Sequence, residues 1–265
     1  MLDHLQKDIG VAHNDIVWLH SGLLGLGIIE GGLNTITKVF SKILSEGALV
    51  IPTFTYSWCN SEVYNPLLTE CPDMGAYAKV AWKDRKFKRN LNPNFSISVM
   101  DQSPNKHIEK SLLKNETKFT CFGFGSVFDQ MYKLSLNNSG KIILLGGAHN
   151  DVVFRSTFLH YVEEKAKVPY RYCKKFINPQ NSNDSVEQLV RYMSKEEYML
   201  VNNKNNSNYK FPIEEKYLQL GNDLVKENII TQSSFGYSKT RSVSMRIFCD
   251  WLENKISNEP DYLLN

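Results

Sequence analysis

The sequence predicts an α/β fold: a central, largely parallel sheet flanked by helices, with long loop excursions. Three observations carry this. First, an apolar strand, a glycine-rich turn, an amphipathic helix and a second apolar strand follow one another between residues 15 and 52. That βαβ order sets two strands side by side and parallel. Second, another apolar run, Ile142-Ile143-Leu144-Leu145, comes after further helical patterns. Third, no internal repeat divides the chain, so its 265 residues read as one α/β domain over 1–265.

Taken in order, Leu2, Leu5 and Ile9 recur at helical spacing and predict a short opening helix. Asp15 to His20 is a buried strand running into the small-residue turn Ser21 to Gly27. Gly31-Gly32 precede a helix whose apolar face is Leu33, Ile36, Val39, Phe40, Ile43 and Leu44, and Gly47 stands where a C-terminal cap belongs. Ala48 to Pro52 is the second strand, ending in Thr53-Phe54-Thr55-Tyr56. Ser57 to Asp73, with Pro66 and Pro72, reads as a long loop; Gly75 to Trp82 begins a helix; Arg85 to Asn94 is basic and irregular. Phe95 to Val99 alternates as a strand does, and Lys106 to Lys114 is a helix candidate. Phe122 to Val127 is a glycine-rich turn entering a helix over Phe128 to Leu134. Asn137 to Gly140 is the turn before a strand from Lys141 to Leu145. Beyond about residue 172 the character changes. Asn-rich tracts at 178–183 and 202–208 read as loops between modest elements, and Phe211 to Leu224 and Ser242 to Asn254 as helices.

Composition narrows the function. Net charge is +3 with no long Lys/Arg block, which argues against nucleic acid and is compatible with an anionic small ligand. The five cysteines are scattered with no C-x-x-C pair, so neither a zinc site nor a disulfide framework is expected, and a reducing cytoplasm fits best. The first residues, Met1-Leu2-Asp3-His4, lack the pattern of a signal peptide, and no apolar run is long enough to span a membrane.

The most informative stretch is Thr157 to Glu164. If it is helical, His160 and Glu163 share a face, and a carboxylate there fixes the imidazole tautomer and favours its protonated form. Alone, such a pair is more often an ordinary one. The turn His20-Ser21-Gly22-Leu23 sits at a strand's C-terminal end, where open α/β sheets bind ligands, and reads either as a tight turn or as an anion site. The turn from Gly123 to Ser126 carries the same two readings. Lys83, Arg85, Lys86, Lys88 and Arg89 form a basic cluster, either a solvated surface or a partner for phosphates. Cys121 has nothing nearby in sequence to make it a nucleophile.

Together these blocks resemble the antibiotic N-acetyltransferase family, whose best-known members are the aminoglycoside 3-N-acetyltransferases. Six co-linear matches over roughly residues 1–172 carry the resemblance. They are Leu19-His20-Ser21-Gly22-Leu23 with Gly27; Gly31-Gly32; Pro52-Thr53-Phe54-Thr55; Met74-Gly75 followed by Arg89 to Ser96; Phe122 to Val127; and Leu144-Leu145-Gly146 followed by Thr157-x-x-His160-x-x-Glu163, with Val168-Pro169-Tyr170-Arg171 closing the set. Residues 173–265 match loosely. The chain departs from the family pattern at Gly22, Asn90, Asn92 (a histidine in the family) and Val127.

The resemblance implies an acyl-CoA-dependent N-acyltransferase with acetyl-CoA as co-substrate, no metal, and an amino-sugar acceptor. His160 is then the general base and Glu163 its support. His20, Ser21, Gly22, Leu23, Thr53, Arg89, Ser96, Gly123, Gly125 and Ser126 are the coenzyme A side. Backbone N–H groups from Ser21 to Leu23 are candidates to stabilise the oxyanion. The expected acceptor is an amino-deoxysugar, nucleotide-linked, in surface-glycan synthesis, with an aminoglycoside as the alternative. A non-catalytic ligand- or partner-binding relative is the alternative of another class; a hydrolase using Ser21 or Cys121 is disfavoured because no G-x-S-x-G elbow is present. A cytoplasmic monomer or homodimer, without nucleic acid or membrane partners, completes the expectation.

Overall fold

In the computed structural model, residues 1–55, 64–92, 94–114, 121–136, 139–147, 154–178, 181–191, 199 and 214–264 are described. The expected loop up to residue 63, the first two residues of the turn expected at 137–140, the Asn-rich tract 202–208 and the first three residues of the helix expected from Phe211 lie outside them.

The strands are β1 (Ile16–Ser21), β2 (Ala48–Pro52), β3 (Lys88–Arg89), β4 (Ile97–Asp101), β5 (Gly140–Leu145), β6 (Arg171–Asn178), β7 (Asn181–Arg191), β8 (Thr231–Phe235) and β9 (Ser238–Ser244). The helices are α1 (Asn34–Ile43), α2 (Gly75–Ala81), α3 (His107–Leu112), α4 (Val127–Leu134), α5 (Phe158–Lys165), α6 (Glu214–Lys226) and α7 (Met245–Asn258). Seven strands form one sheet in the order β3-β4-β2-β1-β5-β9-β8, and β6 pairs with β7 apart from it. β1 is parallel to β2 and β5, as the βαβ pattern requires, while the outer pairings are antiparallel. The parallel core and antiparallel flanks leave five of the seven strands running one way.

The apolar runs of β1, β2 and β5 are continuous because helices cover both faces. On one face Trp18, Val50 and Ile142 pack with Phe128 of α4, Phe158 of α5 and Phe248 of α7. On the other Leu19, Leu49 and Ile143 pack with Ile36, Phe40 and Ile43 of α1 and with Leu5 and Ile9, which sit in and just after a π-helical turn rather than an ordinary opening helix.

Sequence reading differs from the structure at several places. Leu44, not a glycine, closes α1. Gly47 serves a close approach instead: a Cβ there would lie 2.2 Å from the carbonyl oxygen of Asp15 at the start of β1. Lys88–Arg89, inside the irregular basic stretch, is a two-residue edge strand on β4. In the first Asn-rich tract Asn178 pairs with Asn181, so its described residues belong to β6 and β7 rather than to a loop. Ser242 to Ser244 finish β9, and the Ser244 hydroxyl caps α7, so that helix starts at Met245, three residues later than the expected start at Ser242. The β8–β9 hairpin turns on Gly236-Tyr237, where Gly236 has φ +65°, and it completes the sheet beside β5. Among the described residues no helix is long and apolar enough to cross a membrane.

Candidate active site

α5 puts His160 and Glu163 on one face, as their spacing predicts. Glu163 is wholly buried and His160 partly exposed. The carboxylate belongs less to the histidine than to two arginines. Arg171 Nη1 donates to Glu163 Oε2 at 2.7 Å, and Arg191 Nε donates to the same oxygen at 2.8 Å. Arg191 Nη2 reaches Oε1, and the Tyr170 hydroxyl donates to Oε1 at 3.3 Å. Arg191 is anchored in turn on the Tyr217 hydroxyl of α6 at 2.6 Å. His160 Nδ1 lies 3.7 Å from Glu163 Oε2 but 3.1 Å from Arg171 Nη1. A guanidinium only donates, so that contact makes Nδ1 an acceptor and leaves the proton on Nε2.

This arrangement reverses the expected electrostatics. Burial, then the charges of Arg191 and Arg171, outweigh Glu163 and push the His160 imidazole down to about 4. The carboxylate still favours the protonated form, but burial and the two guanidinium charges together outweigh it. Burial alone would raise Glu163, but the charge and hydrogen bonds of Arg191 hold it well below the usual carboxylate range. Phe122 stacks on the imidazole at 5.1 Å and 28°, and Phe95 stands 6.4 Å from it.

Asn92, where the family has histidine, organises the loop that seats Phe95. Its Oδ1 accepts from the N–H groups of Asn94 (3.1 Å) and Phe95 (3.0 Å), and its Nδ2 reaches Cys121 Sγ at 3.4 Å. Asn90, another departure, closes β3 onto β4 by accepting from Ile97 N–H at 2.9 Å.

At the end of β1, Trp18 Nε1 donates to His20 Nε2 at 2.7 Å. Indole only donates, so His20 is the neutral tautomer with its proton on Nδ1. Burial pushes this imidazole down to about 4. The Gly22 N–H is committed to the carbonyl of Leu145 at 2.9 Å, which removes it from the expected oxyanion donors. Ser21 is the last residue of β1, and Leu23 opens a short 3₁₀ turn.

The turn from Gly123 to Ser126 is a helix cap. Ser126 Oγ accepts from Asp129 N–H at 3.2 Å, and the Asp129 carboxylate accepts from Gly125 N–H at 2.8 Å. A protein carboxylate therefore occupies the position the anion-cradle reading reserved for a ligand. What the turn presents outward is Phe124, 87% exposed, with Lys133 Nζ 4.0 Å from its ring centre. The Lys133 ammonium is at the same time ion-paired with the Asp129 carboxylate at 2.6 Å.

Thr53, Arg89 and Ser96 meet one another rather than a cleft. Thr53 and Ser96 are fully buried. Arg89 donates to Ser96 Oγ (3.2 Å), to Thr55 Oγ1 (2.7 Å) and to the carbonyls of Thr53 and Thr69, with Tyr64 and Trp82 stacked 5.2 Å from it. Of the rest of the basic cluster, Lys83 pairs with Glu70 and Lys88 with Glu109. The cluster is largely a solvated, ion-paired surface.

The two halves of the site share an aromatic floor. From His20 it runs through Trp18 (5.7 Å), Phe128 (5.3 Å) and Phe122 (4.9 Å) to His160. In the sequence Trp18 is visible only as a residue of a buried strand, and Phe122 and Tyr170 only as members of motifs. Arg171 is visible only as the end of a motif, and Arg191 has no signal at all. Among the described residues no group of three or more His, Cys, Asp or Glu could hold a metal ion.

The family model that matches this chain places it among the acetyl-CoA-dependent N-acetyltransferases. More particularly, the chain belongs to the aminoglycoside 3-N-acetyltransferase family, whose model matches residues 18–257. That match runs well past residue 172, into the part where the motifs fade. Solved structures share the fold at low identity. The aminoglycoside acetyltransferase AAC(3)-IVa, as apoenzyme, is 20% identical with a TM-score of 0.72, covering 99% of this chain and 89% of its own. AAC-IIIb in binary complex with CoASH is 15% identical with a TM-score of 0.70, covering 96% and 95%. YokD from Bacillus subtilis is 19% identical with a TM-score of 0.69, covering 97% and 99%. No curated protein sequence matches the chain significantly.

Proposed function

We propose that the protein transfers the acetyl group of acetyl-CoA to an amine of an aminoglycoside-type amino sugar, with His160 taking the amine's proton. The observation that carries this reading is the uncharged His160 imidazole held between the Glu163–arginine cluster and the ring of Phe122. The relatives favour an aminoglycoside acceptor over the nucleotide-linked sugar expected from sequence. AAC(3)-IVa has been captured as a histidine-to-alanine variant with a gentamicin and with apramycin. An acetyl-CoA donor supports a cytoplasmic setting.

In the reaction the amine nitrogen bonds to the thioester carbonyl carbon, the C–S bond breaks, and the proton leaves nitrogen for His160. A base pushed down to about 4 does not deprotonate a free ammonium, whose pKa is several units higher. The low basicity therefore supports capture of the acceptor as free amine, with the proton passing to His160 once the C–N bond makes it acidic. In this arrangement Nε2 already carries the ring proton, so for Nε2 to accept one the imidazole must switch tautomer, Arg171 Nη1 releasing Nδ1 and the new Nδ1–H turning to Glu163 Oε2, 3.7 Å away. Phe124 and Lys133 would receive coenzyme A, with Ser21, Leu23 and the Gly123–Ser126 turn as walls; Thr53, Arg89 and Ser96 act behind them as a brace.

The test is free-thiol release from acetyl-CoA across aminoglycosides and nucleotide-linked amino sugars, with His160→Ala as the variant and calorimetric coenzyme A binding alongside. Release that depends on an aminoglycoside and disappears in the variant, with binding kept, is the expected result. Release with nucleotide-linked sugars alone refutes the acceptor, and unchanged release by His160→Ala refutes the base.

A further inference from the structure

We infer that Arg191, carried on β7, is a positioning residue that acts on His160 through Glu163. The inference rests on the reading of His160 as the base. Arg191 comes from the third of the chain where the family motifs fade, yet its side chain is 8% exposed and grips both oxygens of Glu163. Its remaining nitrogen, Nη1, donates to the Tyr217 hydroxyl at 2.6 Å, so the guanidinium is fixed from two sides.

The groups around His160 set the logic. Glu163 faces it from α5, Arg171 from β6 and Arg191 from β7, with Tyr170 behind the carboxylate and the uncharged rings of Phe122 and Phe95 on the open sides. Two guanidiniums share the one carboxylate in direct contact, with Glu164 acting on Arg171 from beside them, and their positive charges oppose a third on the imidazole. Arg191 also takes both carboxylate oxygens, so Glu163 cannot swing fully onto Nδ1. Without Arg191 one of those charges would be gone, Glu163 would close on Nδ1, and His160 would hold a proton more readily. A charge at this range shifts a neighbour's pKa by about 1–3 units.

The experiment is an NMR titration of the ¹³C-labelled histidines, with the His160 signal assigned from His160→Gln. In Arg191→Gln the His160 midpoint should rise by about one to two pH units. In Arg191→Lys, which keeps the charge, it should stay near the wild-type value. Turnover of Arg191→Gln at pH 8 should fall roughly tenfold while the KM for the amine changes little, as for a misplaced base. An unmoved His160 midpoint in a folded Arg191→Gln protein, or an equal rise in Arg191→Lys, overturns the inference. Should Arg191→Gln not fold, Tyr217→Phe loosens the same guanidinium. A smaller rise there supports the inference and no movement overturns it. The titration does not depend on activity. A shifted midpoint together with full thiol release by His160→Ala would therefore sink the base reading and leave the positioning role standing.

Discussion

Glu163→Gln should be among the most destabilising single changes in this protein. The carboxylate is fully buried, and its two guanidinium partners are almost as deep, at 2% exposure for Arg171 and 8% for Arg191. Replacing the charge with an amide removes the carboxylate that contacts both buried cations, leaving Arg191 without its carboxylate and Arg171 with only the influence of Glu164. Breaking a buried pair from one side costs about 3–5 kcal/mol. At roughly 2–4 °C per kcal/mol for a chain of this size, the melting temperature should drop by about 6–20 °C. Urea unfolding at pH 7 is the assay, with Asp3→Asn, the loss of an exposed partner of Lys7, as a control that should not move the midpoint. Glu163 is held below its ordinary 4.5, so its contribution is complete above that value and declines as the pH falls toward its lower folded value. The gap between wild type and variant should hold from about pH 6 to 8 and narrow below 4.5. A loss under about 1 kcal/mol at pH 7 would refute the claim that this carboxylate is the counter-ion of two buried arginines.

Two further outcomes follow from the same structure. His160 and His20 are both pushed down to about 4, below the unfolded value near 6.5, so the unfolded chain binds protons first as the pH falls; stability should be complete above 6.5 and decline toward pH 4, with His160, allowing for its partial exposure, accounting for about 2 kcal/mol, and His160→Gln should flatten that part of the slope in urea titrations. Gly47→Ala should cost about 1–3 kcal/mol by chemical denaturation, because its Cβ would press on the Asp15 carbonyl where β2 starts alongside β1; an unchanged midpoint would mean the two strands can part at that point without loss.

Much of the fold was legible because it is written in local pattern. Continuous apolar runs mark β1, β2 and β5, whose two faces are both covered, and the 3.6-residue stripes mark α1 and α7. The β8–β9 hairpin is harder to read, because Thr231-Gln-Ser-Ser-Phe and Ser238-Lys-Thr-Arg-Ser are polar and β5, the partner of β9, lies far back in the chain (Leu144 pairs with Arg241 and Lys141 with Ser244). Its one local signal is the Gly236-Tyr237 turn between two short runs of β-branched and hydroxyl residues. Gly47 misleads for a similar reason: a glycine just past a helix looks like a cap, and only the fold reveals a neighbouring carbonyl 2.2 Å from where its Cβ would be.

The site divides along the same line. The His160–Glu163 pair is a three-residue spacing on one helix and could be read directly. What that pair does is decided by charges that arrive from elsewhere, eight residues on at Arg171 and 28 residues on at Arg191. Spacing says that a carboxylate stands beside a histidine; it does not say whose carboxylate it is. Burial first, and then the two guanidiniums, leave the histidine the weaker claimant on the carboxylate, so it stays neutral where the motif suggests a cation. The glycine turn shows the converse. Ser126 and Asp129, three residues apart, already contain the capping box that fills the anion position, and that local pattern outweighs the general affinity of helix N-termini for phosphate. A motif read for its ligand should first be searched for a residue of the same chain that plays the ligand's part.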